Sequence, residues 1–144
     1  MNSNYPLTKF HFSVNWGGTK IGFTEVTGLD VETEIIEYRQ GASPEFSKLK
    51  IPGLQKYSNL TLKRGIFLND NEFYAWWATV HVDDQMRRDI TISLLDDAHN
   101  PVLVWVVKNA WPTKITGTDL KADGNEVAIE TMELAHEGLV VQTV

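Results

Sequence analysis

Four histidines, His11, His81, His99 and His136, are the side chains to weigh first as metal ligands or proton carriers. No two of them fall at the i, i+3 or i+4 spacing that stacks paired ligands on one helix face, and no His-Glu-x-x-His run occurs. A cupin-like site would need ligands at neighbouring strand positions, and the sequence supplies none. Carboxylates come in groups at Asp83-Asp84, Asp96-Asp97 and Glu130 with Glu133. Acids in polar turns are solvated, and nothing flanking these sets one in the apolar pocket that a general acid needs. The chain has no cysteine, which excludes disulfides, thiolate catalysis and cysteine-based zinc sites. There is no Gly-x-Ser-x-Gly elbow, and Gly17-Gly18 and Gly117-Thr118 are too sparse for a phosphate loop. These residue types are not spaced for catalysis, and they imply no metal and no cofactor.

What the charges can do is bind. The net charge of −6 argues against general nucleic-acid binding. Its distribution says more. Between Gly41 and Gly65, five basic side chains stand against Glu45 alone. Between Asp119 and Glu137, six acids stand against Lys121 alone, and Asp30, Glu32, Glu34 and Glu37 form a second acidic run. Opposed patches on one chain can pair between copies and set their register. The plainer reading is an ordinary solvated surface.

The elements that must carry these groups are mostly strands. Phe10, Phe12, Val14 and Trp16 alternate with polar residues, and Gly17-Gly18 supplies a turn toward a hairpin partner at Ile21, Phe23 and Val26. Val31, Thr33 and Ile35 alternate with Glu32 and Glu34. Ser43-Pro44 and Pro52-Gly53 break 41–56, which reads as a long extended loop with room for a short edge hairpin. Leu60 and Leu62 open the next strand. Asn69 and Glu72 make a capping box for one helix, whose Phe73, Trp76, Trp77 and Val80 share a face and end near Val82-Asp84. Ile90, Ile92 and Leu94 form a strand. Val102–Val107 is apolar on both faces, and Pro112 ends or diverts its continuation. Val127 and Ile129 oppose Met132 and Leu134 in parity, which predicts a bulge near Thr131. Seven or eight strands and one α-helix in a single 144-residue domain predict a mainly β fold, an antiparallel barrel or sandwich of two packed sheets.

Five segments in order carry a resemblance over residues 10–139. They are Phe23-Thr24-Glu25-Val26-Thr27-Gly28-Leu29, Glu37-Tyr38-Arg39-Gln40-Gly41, the run from Lys50 through Pro52-Gly53-Leu54-Gln55-Lys56-Tyr57 to Gly65, Asn109-Ala110-Trp111-Pro112, and Asn125–Glu130 followed by Glu133–Leu139. Together they resemble the inner tube proteins of contractile phage tails and related injection machines, with an architecture akin to the type VI secretion ring protein. The resemblance implies a structural subunit. Such subunits form stacked hexameric rings, making a hollow tube that a contracting sheath drives through a target envelope. It implies further copies of this chain, a sheath protein, baseplate, spike and tube-initiator proteins, and lumen cargo as partners. It implies no specific nucleic-acid binding and no stable membrane anchor.

Under that reading, Phe46, Lys48, Leu49, Lys50, Ile51, Leu54, Lys56 and Tyr57 are the candidate contact between rings or subunits. Their apolar members are too many for a solvated loop and their lysines would form its rim. Glu32, Glu34, Glu126 and Glu130 are the candidates for an acidic lumen or inter-subunit face. The N-terminus shows no basic region followed by an apolar one, so the chain is expected to be made in the cytoplasm without a signal peptide. It would then enter a phage tail or phage tail-like particle, retained or released. From other classes, a carbohydrate-binding sandwich would use exposed tryptophans such as Trp76-Trp77 as a sugar platform. A metal-dependent barrel enzyme would depend on His11 or His99.

Overall fold

The protein is described from a computed structural model that covers residues 6–7, 9, 11–18, 22–39, 41–42, 48–80 and 86–144. Among these residues the chain forms nine strands and one helix: β1 (Phe12–Asn15), β2 (Glu25–Thr27), β3 (Val31–Tyr38), β4 (Leu49–Tyr57), β5 (Leu60–Gly65), α1 (Glu72–Val80), β6 (Arg88–Leu95), β7 (Pro101–Thr116), β8 (Ile129–Ala135) and β9 (Gly138–Thr143). All pairings are antiparallel. Seven strands form one sheet in the order β1-β6-β7-β8-β5-β2 with β9 also on β7, while β3 and β4 pair only with each other.

The 16-residue β7 organises this arrangement. Its first half lies between β6 and β9, and its second half pairs with β8. Two extra residues bend it. Asn109 takes a left-handed φ of 50° at the register shift opposite Arg88–Ile90, and a second shift falls between Pro112 and Lys114. Bulges increase local twist and turn a strand out of its sheet. The seven-stranded sheet therefore folds on itself into two layers, β1-β6-β7-β9 and β7-β8-β5-β2, around one core. Pro112 diverts the strand between partners without ending it, because the missing N–H falls where the ladder is already interrupted.

Alternation fills the core from both layers: Val14 and Trp16, Ile90 and Ile92, Leu60 and Leu62, and Met132 and Leu134 are all buried. The helix closes one end. Its Phe73, Trp76 and Val80 turn inward, and Trp16 meets Phe73 edge-on at 5.0 Å. The Trp76 indole N–H donates to the Met86 carbonyl at 2.8 Å, so its polar edge is satisfied inside. Under the helix lies Arg64, fully buried, donating to Glu130 at 2.8 Å and to Asp70 at 3.0 Å while its guanidinium sits 4.1 Å from the Phe73 ring centre.

Several local expectations change. β1 does not form a hairpin with the residues after Gly17-Gly18; it pairs with β6, and β2 crosses to β5. Only Gly17 of that pair has a positive φ. No bulge interrupts β8 against β5, whose register runs unbroken from Leu60–Leu134 to Gly65–Ile129. The parity conflict disappears because Val127 lies in the exposed loop before the strand, and the extra residue belongs to β7. The helix is capped by Asp70, whose carboxylate accepts the Glu72 N–H at 3.1 Å. Asn69 instead occupies a left-handed turn at φ 61°. The expected helix end at 82–84, and Phe10 and Ile21, lie outside the described residues.

Candidate assembly surface

Pro52 and Gly53 do not keep residues 49–57 out of a strand. β4 pairs with β3 along its length, so the segment read as a long loop is the second half of a two-stranded arm standing apart from the main sheet. An isolated ribbon tolerates Pro52 because no further strand needs its N–H. The strain is relieved by a register shift between Thr33 and Ile35, where Gly53 and Leu54 face Glu34. Gly53 is tight there: a Cβ would lie 3.0 Å from the Glu34 carbonyl oxygen and 3.1 Å from the Ile36 side chain.

Both faces of the arm are open to solvent and both carry apolar groups. Ile35 is 63% exposed, Leu49 61% and Leu54 76%. Ile36 stands opposite Ile51, and Tyr38 opposite Leu49, forming an exposed aliphatic-aromatic patch toward the tip. Among the described residues the arm is anchored at its foot, through Tyr57, which packs on the core beside His136 with ring centres 5.5 Å apart. A twisted ribbon with two wet apolar faces is an unfinished structure, and such surfaces mark protein contacts.

The acidic and basic runs that the sequence presents as opposed patches meet each other across this arm. Lys56 bonds Glu34 at 2.7 Å and Lys48 bonds Glu37 at 3.2 Å. The hydrogen bond and charge of Glu34 raise the Lys56 pKa above the ordinary 10.5. Lys50 stands opposite Glu37, which already holds Lys48. Of the eight residues expected at the contact, seven lie on or beside β4, and Phe46 falls outside the described residues.

The four glutamates expected on one acidic face are not gathered. Glu32 and Glu34 belong to the arm, and Glu126 lies in the exposed loop before β8. Glu130 is a structural partner of Arg64 with only 15% of its side chain exposed. Sequence reasoning counted Arg64 as part of a basic patch. Its parity with the inward Leu60 and Leu62 is the signal that marks it as buried.

Among the described residues, the end of the sandwich away from α1 has no lid. It opens as a cleft of 590 Å³ between Phe12, Ile92, Leu94 and Trp105 of one layer and Val26 and Leu29 of the other, beside the foot of the arm. This cleft was not legible in the sequence, since its walls come from four separated segments. The tryptophan platform is not present as such: Trp76 is buried, and Trp77 is half-buried with its ring 6.0 Å from Tyr74. The fold does bring the His11 and His99 rings within 5.0 Å, but no group of three potential ligands occurs among the described residues. His81 and Asp83-Asp84 lie outside them.

A seven-stranded sandwich with one end closed by a helix and a separate two-stranded apolar arm has the form of an assembly subunit, and comparison decides which. The family of the T4-like virus tail tube protein gp19 matches residues 8–140. The chain belongs to this tail tube family. It is a tube subunit of contractile injection systems, a structural and non-catalytic protein that forms the inner tube. Its solved relatives include a chain of the extended sheath-tube complex of the extracellular contractile injection system PVC. That chain is 34% identical with a TM-score of 0.89, over 99% of this chain and 95% of that one. A chain of the tube-terminating cap of the anti-feeding prophage AFP is 32% identical with a TM-score of 0.89, over 100% of this chain and 95% of that one. Hcp1 from Flavobacterium johnsoniae shares the fold, with a TM-score of 0.57 at 12% identity over 94% of this chain and 97% of that one. No curated protein matches the sequence.

Proposed function

We propose that the β3–β4 arm is the element by which one tube subunit grips the next, making the contact between stacked rings, and that six copies close each ring. The exposed apolar arm carries this reading: Ile35, Ile36, Tyr38, Leu49, Ile51 and Leu54 have no covering element among the described residues. A ring needs two different, complementary surfaces on each subunit, which a projecting arm and its receptor would supply. The tube so formed would sit inside a sheath, end at a cap and a baseplate, and conduct cargo as the sheath drives it through an envelope. The relatives from a sheath-tube complex and from a tube cap support those partners, and they support a place in a phage tail-like particle, including an extracellular one. Charged arm residues then set register more than affinity, since two of the lysines are already matched internally.

The test replaces the cross-strand pair Ile36→Ser with Ile51→Ser. Both side chains are exposed, so circular dichroism should report a folded subunit, while negative-stain microscopy should show tubes lost or shortened at least tenfold. Tubes of normal length from the folded double variant would overturn the role of the arm.

A further inference from the structure

We propose that His11 and His99 together form a surface site for one divalent transition-metal ion of the class that prefers imidazole, with zinc the best geometric fit. The site is independent of the arm and of how subunits meet.

The two residues are far apart in the sequence, and the fold makes them neighbours. His11 precedes β1 and faces the end of β6, where its carbonyl accepts the Leu95 N–H at 2.8 Å. His99 sits in the turn that carries β6 into β7. Their ring centres are 5.0 Å apart, with the ring planes tilted by 59°. One shared ion would impose that separation. A zinc–nitrogen bond of about 2.0–2.1 Å puts the metal ~3.2 Å from each imidazole centre, and a tetrahedral angle between the two ligands then sets the ring centres ~5 Å apart. The tilt means that the rings are not stacked face to face. Each imidazole has a nitrogen on either edge, so whichever edge meets the gap offers a donor.

The turn holds its histidine in place beforehand. His99 has a left-handed φ of 63°. Its N–H donates to the Asp96 carbonyl at 2.9 Å, and the Asp96 carboxylate accepts the N–H groups of Ala98 and Asn100, each at 2.9 Å. A non-glycine residue keeps such a conformation only where its surroundings fix it, and the residue fixed here is one that can ligate a metal. Both histidine backbones are thus tied to one hairpin, and the ion need not gather its ligands. Asp96 and Asp97 make the turn negative, with no basic residue between Leu95 and Pro101, which favours a cation.

Paired imidazoles suit zinc, copper and nickel, whereas calcium and magnesium require oxygen ligands. No third histidine or carboxylate completes the set among the described residues, so water takes the remaining positions. Two protein ligands give a dissociation constant on the order of 1–100 µM, far weaker than a four-ligand structural site. The bound ion clamps the start of β1 to the β6–β7 turn. That pairing exists only in the folded chain, so the ion stabilises it.

The untagged chain is titrated with zinc chloride by isothermal calorimetry, beside His11→Gln, His99→Asn and the double variant. Asparagine accepts the left-handed conformation at position 99, so the turn survives. His81 and His136 remain in every variant and report binding elsewhere. The expected result is one ion per chain, with affinity reduced at least tenfold in each single variant. In ~0.5 mM zinc the melting temperature of the parent should rise by about 2 °C or more, and that of the double variant should not. In NMR spectra the imidazole signals of His11 and His99 should shift together, ahead of those of His81 and His136. No measurable binding by the parent at ~1 mM zinc overturns the site. So does a double variant that binds within tenfold of the parent. A loss confined to one of the two single variants shows binding by a lone histidine and overturns the pair.

Discussion

Replacing Arg64 with methionine isolates a fully buried ionic tie in the fold. The guanidinium is fully buried, its Nη2 holds Asp70 at 3.0 Å and its Nε holds Glu130 at 2.8 Å, with 7% and 15% of those side chains exposed. Methionine keeps much of the stem volume between Trp16 and Phe73 but leaves two carboxylates facing each other without a cation. Removing one member of a buried ion pair costs about 3–5 kcal/mol, most of it the penalty of the stranded charge. The partial exposure of Glu130 pulls toward the low end, and the lost contact with the Phe73 face pulls toward the high end. With a urea dependence of about 2 kcal/mol per molar, the unfolding midpoint of the dilute subunit should fall by about 1.5–2.5 M. The triple variant Arg64→Met/Asp70→Asn/Glu130→Gln removes every charge and leaves Asn at 70 with an oxygen for the Glu72 N–H. It should recover to within about 1 kcal/mol of the parent, because uncharged packing of similar volume replaces buried pairs at little cost. A single variant that shifts the midpoint by less than about 0.5 M would refute this account. So would a triple variant no more stable than the single one, which would assign the loss to packing.

Three further outcomes are expected. Leu134→Ala should cost about 2–5 kcal/mol by opening a cavity at a fully buried site of β8. That would appear as a drop in melting temperature of about 4–20 °C at ~2–4 °C per kcal/mol for a chain near this size. Gly28→Ala should destabilise by more than the ~1–3 kcal/mol of a strained backbone position. Gly28 has φ 94°, and its Cβ would meet the Asn59 carbonyl oxygen at 2.1 Å; a melting temperature equal to the parent's would count against the packing of β2 on β5. Glu34→Gln should lower the Lys56 pKa toward 10.5, read by NMR titration of the side chain. Because the folded value is the higher one, the contribution of the pair is present below the unfolded pKa and is lost as pH rises through the folded pKa. An unchanged titration would place Lys56 elsewhere than on Glu34.

The sequence by itself determined what is local. Alternation placed Val14, Trp16, Leu60, Leu62, Ile90 and Ile92 inward, because a strand shows its side chains to opposite faces and only one face is dry. The 3.6-residue period placed Phe73, Trp76 and Val80 on the buried stripe of α1, though Trp77 falls at its half-buried margin. Five ordered motifs are enough to indicate a tube protein, and the family match agrees. Tertiary structure decided everything that depends on which strands meet. Pairing partners are chosen by long-range packing, so the hairpin suggested by Gly17-Gly18 gave way to β1 on β6. Pro52 and Gly53 read locally as breakers, yet β4 forms because its only partner, β3, asks nothing of the missing N–H. Charge runs separated in sequence turned out to be matched pairs along the arm. Arg64 became a buried tie once Glu130 and Asp70 were brought to it from different elements. The cleft exists only where four distant segments converge, and no local pattern encodes it.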